Sequence, residues 1–457
     1  SLGKFLGDTF RPWRGDAEIA RIAGPALATM TIDPLMSMVD TAFVGRLGVH
    51  ALGAVGVAAA LFKFSFSMFN FLAKTTTPLV ARARVRGEPD RASRTIAQNI
   101  WVATMAGIII ATALGIFTRP LVSILVGSSP ASQQMIDPAI RYVRWRLPAA
   151  PAILLTYVCS GAFRGFKDTQ TPMYIAVIAN IVHLALDYLM IFVFHWGVTG
   201  AALATAFSQI LTAAGLILFM VRRKMLFLHD MVTKPDRETL SEIAASSIFS
   251  IRTMSILSAH TLASSLAARL GSVSSAAFAI GRQVWMFMAI ALDSFEVAAQ
   301  TMVAEKLGAG DRRGARKVAS RLLQLGLVAG ALLGVIVMVA RSRIPLIFTS
   351  DPEVVALTSR VFPVFTLFQP ISGLVFVYDG IFAAARDYKH TATAVFFAGL
   401  ACVTSLLFCT NFTSLGLAGI WMSLNVLTVS RAFLLGARYL SRRGPIPPST
   451  GPIRLGQ

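Results

Sequence analysis

The sequence predicts an all-α integral membrane protein with twelve transmembrane helices arranged as two six-helix lobes. Of the 457 residues, 55% are apolar and 14% are charged, whereas soluble domains carry roughly 25% charged residues. Apolar stretches long enough to cross a bilayer, which takes about 20 residues, recur along the whole chain. The third observation is an internal repeat, each copy of which supplies one lobe.

The repeat is visible in short motifs that recur about half the chain apart. Gly-Arg-Leu-Gly at 45–48 is matched by Ala-Arg-Leu-Gly at 268–271, and Trp-Gly-Val-Thr-Gly at 196–200 by Leu-Gly-Leu-Ala-Gly at 415–419. Six spans per copy is an even number, so the copies run through the membrane in the same sense. A pseudo-two-fold axis along the membrane normal then relates them, as in many secondary transporters, whose substrate path lies between two such copies.

The individual spans are apolar runs separated by Gly, Pro or charged residues. In the first copy they cover 18–45, 51–81, 93–117, 134–160, 170–194 and 199–221. In the second copy they cover 241–267, 274–305, 316–340, 353–379, 390–410 and 416–437. The chain is therefore expected to form an N-terminal lobe at 1–221, a polar inter-lobe linker at 222–240 and a C-terminal lobe at 241–457.

Lys and Arg are concentrated in alternate links between the spans. The links after spans two, six and eight are rich in them, whereas the links after spans five and eleven have none. Cytosolic loops of membrane proteins carry this excess, so both termini and the rich links are expected on the cytosolic side. The net charge of +20 is thus explained by the lipid bilayer as partner, and no nucleic-acid partner is expected.

Polar residues on the fifth span form the first candidate site. An ionisable group inside a bilayer costs about 2.5–3.5 kcal/mol on insertion scales, so each one is a site hypothesis. Asn180, His183 and Asp187 share one helix face because they lie one turn apart, and Thr205 follows near the start of the sixth span. His183 is either part of a proton relay or a satisfied polar core residue.

Asp40, late in the first span, is the second carboxylate of this candidate site. Two carboxylates that face each other in a poorly hydrated pocket can bind and release a proton near neutral pH. The same span contains Pro25 and Pro34, and proline interrupts helix hydrogen bonding, so the span can bend as the charge of Asp40 changes. The alternative is that Asp40 caps the helix end or pairs with Arg46.

Basic, aromatic and methionine side chains in the spans suggest a substrate cavity. The cations that look buried are Lys63, Lys74, Arg252 and Arg282, and together they favour an organic anion. The candidate cavity residues are Lys63, Phe66, Met68, Arg252, Arg282 and Met286. Flexible methionine and aromatic walls suit varied ligands, but ordinary packing explains them too.

The acids of the second copy offer the competing explanation for these cations. Asp293 and Glu296 share a face of span eight and are expected to form a structural ion pair with Arg282 or Arg252. Asp379, which precedes Gly380, is expected to be a charge near the end of span ten.

No enzyme signature is present in the sequence. It has no Walker lysine loop, no nucleophile–His–Asp spacing and no paired His–Glu metal motif. We therefore expect no catalytic residue, no metal site and no cofactor.

Several motifs together resemble the multidrug and toxin extrusion (MATE) family, in its DinF-like branch with plant and algal members. The matching segments are 34–48, with Asp40 at its centre, 161–165, 187–192, 292–300 and 369–380. The resemblance covers essentially the whole chain. It implies two six-helix lobes around a central cavity, and export of organic solutes against an inward flow of H⁺ or Na⁺.

The resemblance also implies where coupling occurs. The family's motif positions fall on Asp40, Asp187, Thr205 and the bend proline Pro25. One departure is His183, where the family usually has Asn. Span seven has no acidic residue where other branches place a cation-binding carboxylate, which favours H⁺ as the coupling ion over Na⁺.

The sequence therefore predicts a monomeric, proton-coupled antiporter that exports small organic solutes, with organic anions as one candidate class, by alternating access. The alternatives are a Na⁺-coupled exporter, a flippase for lipid-linked precursors with the same fold, and a receptor without transport. The host membrane is either the plasma membrane or a plastid envelope.

Overall fold

All regular structure in the described part of the chain is helical. The computed structural model describes residue 13 and residues 15–126, 134–441 and 444–446, and no strand occurs in these ranges. The outer ends of the predicted lobes, at 1–12 and 447–457, lie outside the described residues.

The first half of the chain forms eight α-helices, because two of its predicted spans are each built from two helices. The helices are α1 (Asp16–Gly45), α2 (Val49–Ser67), α3 (Phe71–Val85), α4 (Pro89–Val126), α5 (Ile136–Arg146), α6 (Ala150–Gly165), α7 (Gln170–Tyr188) and α8 (Gly197–Arg222). Short 3₁₀ turns, Met68–Asn70 and Leu147–Ala149, join α2 to α3 and α5 to α6. Pro148 explains the second break, since proline removes a helix hydrogen bond and restricts the residue before it.

The second half forms eight further helices. They are α9 (Arg237–Ser247), α10 (Phe249–Arg269), α11 (Ser272–Gly308), α12 (Arg312–Val339), α13 (Pro352–Thr366), α14 (Gln369–Ala384), α15 (Tyr388–Phe412) and α16 (Gly416–Leu440). The helices α13 and α14 meet at a bend of 53° and together form the predicted tenth span. Asp351 caps α13, where its carboxylate accepts hydrogen bonds from the N–H groups of Glu353 and Val354.

The helices confirm the predicted all-α membrane fold. Within the described residues, ten single or joined helices are long and apolar enough to cross a membrane, and the bent α13–α14 pair makes an eleventh. The remaining predicted span, 241–267, corresponds mainly to α10. That helix contains Arg252, His260 and Arg269, which make it less apolar than the other spans.

The helices pack into two compact units. The N-terminal unit is Gly24–Ser247, and the C-terminal unit contains the chain from Ile248 onward together with the start of α1, as far as Ala23. The Asp16 carboxylate on α1 accepts hydrogen bonds from Arg321 Nε at 2.8 Å and Nη2 at 2.6 Å, which ties that first turn to α12. The lobe boundaries at 221 and 241 stay a prediction.

The same close helix contact occurs in both units. A side chain at Gly161 on α6 would place its Cβ 2.5 Å from the Ala73 carbonyl oxygen on α3. A side chain at Gly380 on α14 would place its Cβ 2.4 Å from the Glu296 carbonyl oxygen on α11. Small residues let membrane helices approach closely, and these two glycines are matching positions of the repeat.

The chain between α8 and α9 lies against the start of α4. The Phe227 N–H donates to Ser93 Oγ at 2.8 Å, and Thr239 Oγ1 donates to Gln98 Oε1 at 2.6 Å. At the start of α9 the Thr239 N–H donates to Asp236 at 2.8 Å, and this bond holds the pKa of the Asp236 carboxyl below its usual value. These contacts attach the predicted linker to the N-terminal unit.

Candidate functional site

Two carboxylates and an imidazole meet in the N-terminal unit. Asp40 comes from α1, and His183 and Asp187 come from α7; one ligand atom of each lies within 4.8 Å of the others. His183 Nε2 is 3.3 Å from Asp187 Oδ2 and 3.9 Å from Asp40 Oδ1. The structure therefore brings together the three ionisable residues that the sequence singled out, which we call the acid–His cluster.

The local fold of α7 explains why His183 and Asp187 face the protein interior. Ile175, Ala179, His183 and Asp187 are all buried, and side chains four residues apart lie on the same helix face. The π-helical turn Leu189–Val193 follows directly after α7. Such π turns are rare and often lie beside functional sites.

The residues of this cluster are largely buried, so it is unfavourable for both carboxylates to be ionised without partners. Asp187 is 1% exposed and His183 is 5% exposed, while the Asp40 side chain is 27% exposed. Both oxygens of Asp187 and Oδ1 of Asp40 are buried without a hydrogen-bond donor among the described residues. Since burying an ionised carboxylate without partners is costly, the geometry suits a bound proton or a small cation.

Of the other residues predicted for this site, Thr205 reaches the cluster and Asn180 has a local partner. Thr205 Oγ1 lies 3.3 Å from His183 Nε2 and donates to the Ala201 carbonyl at 2.8 Å. Asn180 Nδ2 donates to the Ala176 carbonyl at 2.8 Å, within its own helix. Pro25 and Pro34 both lie inside α1, which continues as one helix past them.

Sequence reasoning missed Arg146 as a member of this neighbourhood. Its guanidinium lies 4.5 Å from the ring centre of Phe62 and acts electrostatically on Asp40 and His183. In the sequence, Arg146 is one of three arginines in the first half of the predicted span 134–160. Only the fold of α5 shows that its charge lies near the acid–His cluster.

The residues predicted for a substrate cavity are divided between the two units. Lys63 and Arg282 are exposed, so the expectation that they are buried is wrong; a position within an apolar span does not reveal which helix face a side chain occupies. Phe66 is buried and stacks on Phe62 with ring centres 5.6 Å apart. Met68 and Met286 are half-buried.

Asp379 is the centre of an ion-pair cluster, and the expectation of a helix-end charge is wrong. The residue is fully buried on α14, and its Oδ2 accepts from Nη2 of both Arg252 and Arg431. Arg252 also lies 3.7 Å from Glu296, which confirms the expected pairing between those two residues. Arg431 was missed, although an arginine inside the apolar twelfth span was a usable signal.

Comparison with known proteins agrees with this architecture. The chain matches the MatE family over residues 25–189 and 248–409. Protein DETOXIFICATION 44, chloroplastic, from Arabidopsis thaliana is 32% identical over 440 residues, which are 94% of this chain and 83% of that protein. The DNA damage-inducible protein F of Escherichia coli is 28% identical over 430 residues, covering 92% of this chain and 91% of that protein.

The fold also matches solved structures. A MOP superfamily transporter from Pyrococcus furiosus superposes with a TM-score of 0.84 at 20% identity, covering 93% of this chain and 96% of that chain. This likeness confirms the predicted fold class of twelve helices in two lobes. With the family match in both halves, the chain belongs to the MatE family of multi-pass membrane transporters, and it is not an enzyme.

Proposed function

We propose that this chain is a proton-coupled antiporter that exports small organic solutes, with the acid–His cluster as its coupling site. The observation that carries the proposal is Asp187, which is 1% exposed and forms no hydrogen bond with the described residues through either oxygen, although His183 Nε2 lies 3.3 Å from its Oδ2. A proton bound between Asp187 and Asp40 supplies the missing donor and neutralises one carboxylate.

The coupling follows from the two helices that build the cluster. Asp40 lies on α1 and Asp187 on α7, so protonation changes the attraction and repulsion between these helices. Since α1 contains Pro25 and Pro34, it lacks two internal hydrogen bonds and bends more easily than an uninterrupted helix. A proton taken up on one side thus favours one arrangement of α1, and its release favours the other.

The driving force is sufficient for concentrative export. Moving one elementary charge through a membrane potential of 100 mV is worth about 2.3 kcal/mol. That energy corresponds to roughly a 50-fold concentration ratio of solute.

Na⁺ is the competing coupling ion, because the cluster brings three ligand atoms within 4.8 Å of one another. Hard cations prefer carboxylate, carbonyl and water oxygens, and here His183 contributes a ring nitrogen. This ligand set favours H⁺. The chloroplastic relative supports a plastid envelope as the host membrane, with the plasma membrane as the alternative, and a monomer suffices for the mechanism.

The test is transport by the purified chain in proteoliposomes. A pH gradient, or a Na⁺ gradient at equal pH, is imposed, and flux is measured for ethidium and tetraphenylphosphonium as cations and for fluorescein and benzoate as anions. We expect flux driven by the pH gradient, and a loss of at least tenfold in Asp40→Asn and Asp187→Asn. Asp90→Asn, an exposed acid in the first turn of α4, is the matched control and keeps full flux.

Full pH-driven flux in both cluster variants would overturn the coupling assignment. Flux that follows the Na⁺ gradient alone would replace H⁺ by Na⁺ as the coupling ion.

A further inference from the structure

The first span of each copy starts in one compact unit and continues in the other. The start of α1, as far as Ala23, belongs to the C-terminal unit, and the rest of α1 from Gly24 belongs to the N-terminal unit. In the second copy α9, which ends at Ser247, belongs to the N-terminal unit, and the chain enters the C-terminal unit at Ile248, directly before α10. Each unit therefore contains the start of the other copy's first span.

Matching residues hold both exchanged segments in place. In the C-terminal unit the Asp16 carboxylate accepts hydrogen bonds from Arg321 Nε at 2.8 Å and from Nη2 at 2.6 Å. In the N-terminal unit Thr239 Oγ1 donates to Gln98 Oε1 at 2.6 Å. Asp16 and Thr239 are separated along the chain by the same offset as Gln98 and Arg321, and this is also the offset between the Gly-Arg-Leu-Gly motif and its repeat. A contact between the start of a first span and a third span is thus part of the repeat.

Asp16 and Arg321 form the stronger of these two contacts. Both oxygens of the Asp16 carboxylate bind the guanidinium, and charge-assisted hydrogen bonds are roughly twice as strong as neutral ones. Arg321 is 8% exposed, whereas the Asp16 side chain is 31% exposed, so loss of the carboxylate would leave a buried positive charge with less compensation. Ile19 and Ile22, on the next turns of α1, are 3% and 0% exposed. The start of α1 is therefore held firmly in the C-terminal unit.

The rest of α1 carries Asp40 of the acid–His cluster and belongs to the N-terminal unit. Gly24 and Pro25 follow directly after the anchored turns. A Cβ at Gly24 would meet nothing within 4 Å, and proline removes a helix hydrogen bond, so this is where α1 changes direction most easily. Because its start is held in one unit and Asp40 lies in the other, a change in the shape of α1 acts on both units.

We propose that Asp16 and Arg321 are positioning residues for transport: their pair anchors α1 in the C-terminal unit and so transmits the response of the acid–His cluster to that unit. When the anchor is removed, α1 still bends, but its start moves with it and the C-terminal unit receives less of the change. The anchor stays closed throughout the transport cycle, in contrast to a gate, which has to open. This proposal rests on the proposed function, because the anchor affects transport only when α1 responds to the bound ion.

The test is rescue of transport by a covalent link. Asp16→Cys and Arg321→Cys are combined in a chain whose three native cysteines are replaced by serine, and flux is measured in proteoliposomes under the ion gradient that drives the unchanged chain. Relative to the cysteine-free parent, flux should fall at least fivefold in the double variant. A short bifunctional thiosulfonate, applied before reconstitution to join the two cysteines, should restore at least half of the flux, whereas the monofunctional reagent should restore none.

A second measurement reports on the anchor without transport. Arg321→Gln introduces the residue found at the matching position 98 and removes the charge. Hydrogen–deuterium exchange of the detergent-solubilised chain, followed by mass spectrometry, should show at least fivefold faster exchange of the amides at residues 19–23 in this variant. Arg438→Gln, which breaks a pair with Asp387 at 3.2 Å in the same unit, is the matched control and should leave both this exchange and the flux unchanged.

Three results would overturn the anchor: full flux in the double cysteine variant before cross-linking, no recovery once mass spectrometry shows the link to be complete, or unchanged exchange at residues 19–23 in Arg321→Gln. The second of these is the behaviour of a gate. Any of them in a chain with normal ion-driven flux refutes the anchor and leaves the proposed function intact. Flux in the unchanged chain that follows Na⁺ instead of pH replaces the coupling ion, and rescue under the Na⁺ gradient would still support the anchor.

Discussion

At the scale of single residues, His183 decides how the acid–His cluster stores charge. Its Nε2 has three polar neighbours, with Asp187 Oδ2 and Thr205 Oγ1 both at 3.3 Å and Asp40 Oδ1 at 3.9 Å. A single ring nitrogen carries at most one proton. When neutral with its proton on Nε2, His183 therefore donates to one of these neighbours at a time, and Thr205 Oγ1 is available as an acceptor because its own proton is donated to the Ala201 carbonyl. When protonated, His183 offsets a carboxylate charge. Histidine is the side chain whose ordinary pKa makes this change accessible near neutral pH.

We therefore predict that His183→Asn changes the pH dependence of transport more than it changes transport itself. The asparagine amide still offers a hydrogen bond to the carboxylates but cannot take up a proton. At the optimum pH, flux should stay within about fivefold of the original, because one hydrogen bond is worth about 1 kcal/mol in net terms. The measurement is flux between pH 5.5 and 8.5. We expect the pH dependence of flux in the variant to be described by fewer titrating groups than that of the unchanged chain.

The control for this experiment is Asn180→Ala, which removes a side chain on the same helix whose amide donates to the Ala176 carbonyl. Its pH profile should match that of the unchanged chain. An unaltered profile in His183→Asn would mean that the imidazole acts only as a polar spacer.

At the scale of helices, the two copies of the repeat are more alike in their close helix contacts than in their buried charged residues. Gly161 and Gly380 are matching positions, and each allows its helix to contact a neighbouring backbone. The polar groups beside these contacts differ, because Asp379 with two arginines lies in the C-terminal unit and the acid–His cluster lies in the N-terminal unit. The two copies therefore share a scaffold and have acquired different interiors.

We predict that Gly161→Ala destabilises the chain although alanine favours helices. The added Cβ would lie 2.5 Å from the Ala73 carbonyl oxygen, so α3 and α6 must separate, and overpacking of this kind is typically unfavourable by about 1–3 kcal/mol. The apparent melting temperature of the detergent-solubilised chain should fall. Thermal unfolding monitored by circular dichroism measures this directly.

Gly56→Ala is the matched control, because nothing lies within 4 Å of the Cβ that it adds on α2. Replacing an unconstrained helix glycine by alanine is favourable by roughly 0.5–1 kcal/mol, so its melting temperature should rise or stay unchanged. A rise in Gly161→Ala as well would show that the α3–α6 contact is looser than the structure indicates.

At the scale of the whole molecule, the sequence correctly predicted the features that depend on local sequence pattern. The all-α fold and the pairing of His183 with Asp187 follow from apolar runs and a four-residue spacing, both of which are read along a single helix. The exposure of Lys63 and the burial of Asp379 between Arg252 and Arg431 were not predicted. These properties depend on which helices become neighbours, and a span's hydrophobicity carries no such information.

The path of α10 through the membrane is the feature of the fold that the local sequence pattern determines least. This helix has 21 residues, and at 1.5 Å per residue it is about 31 Å long, close to the hydrocarbon thickness of a bilayer, about 30 Å. Its composition falls short of the apolarity of the other spans. Part of its polarity is explained internally, since Arg252 is paired with Asp379 and Glu296. A paired cation on the interior face of a helix is compatible with spanning.

We therefore predict that Lys234 and Ser414 lie on opposite sides of the membrane. The helices between them are α10, α11, α12, the bent α13–α14 pair and α15. If α10 spans the membrane, the number of crossings is odd and the two residues lie on opposite sides; if it does not, the number is even and they lie on the same side. Both residues are exposed.

The measurement is labelling of Lys234→Cys and Ser414→Cys with a membrane-impermeant maleimide, after Cys159, Cys402 and Cys409 have been replaced by serine. In intact bacterial cells only the cysteine at 414 should react, and in inside-out vesicles only the one at 234, because the basic link at 222–240 is expected in the cytosol. Labelling of both cysteines from the same side would remove α10 from the membrane and leave eleven spans. The ion pairs of Arg252 would then have to form outside the bilayer, where exposed pairs contribute only about 0–1 kcal/mol.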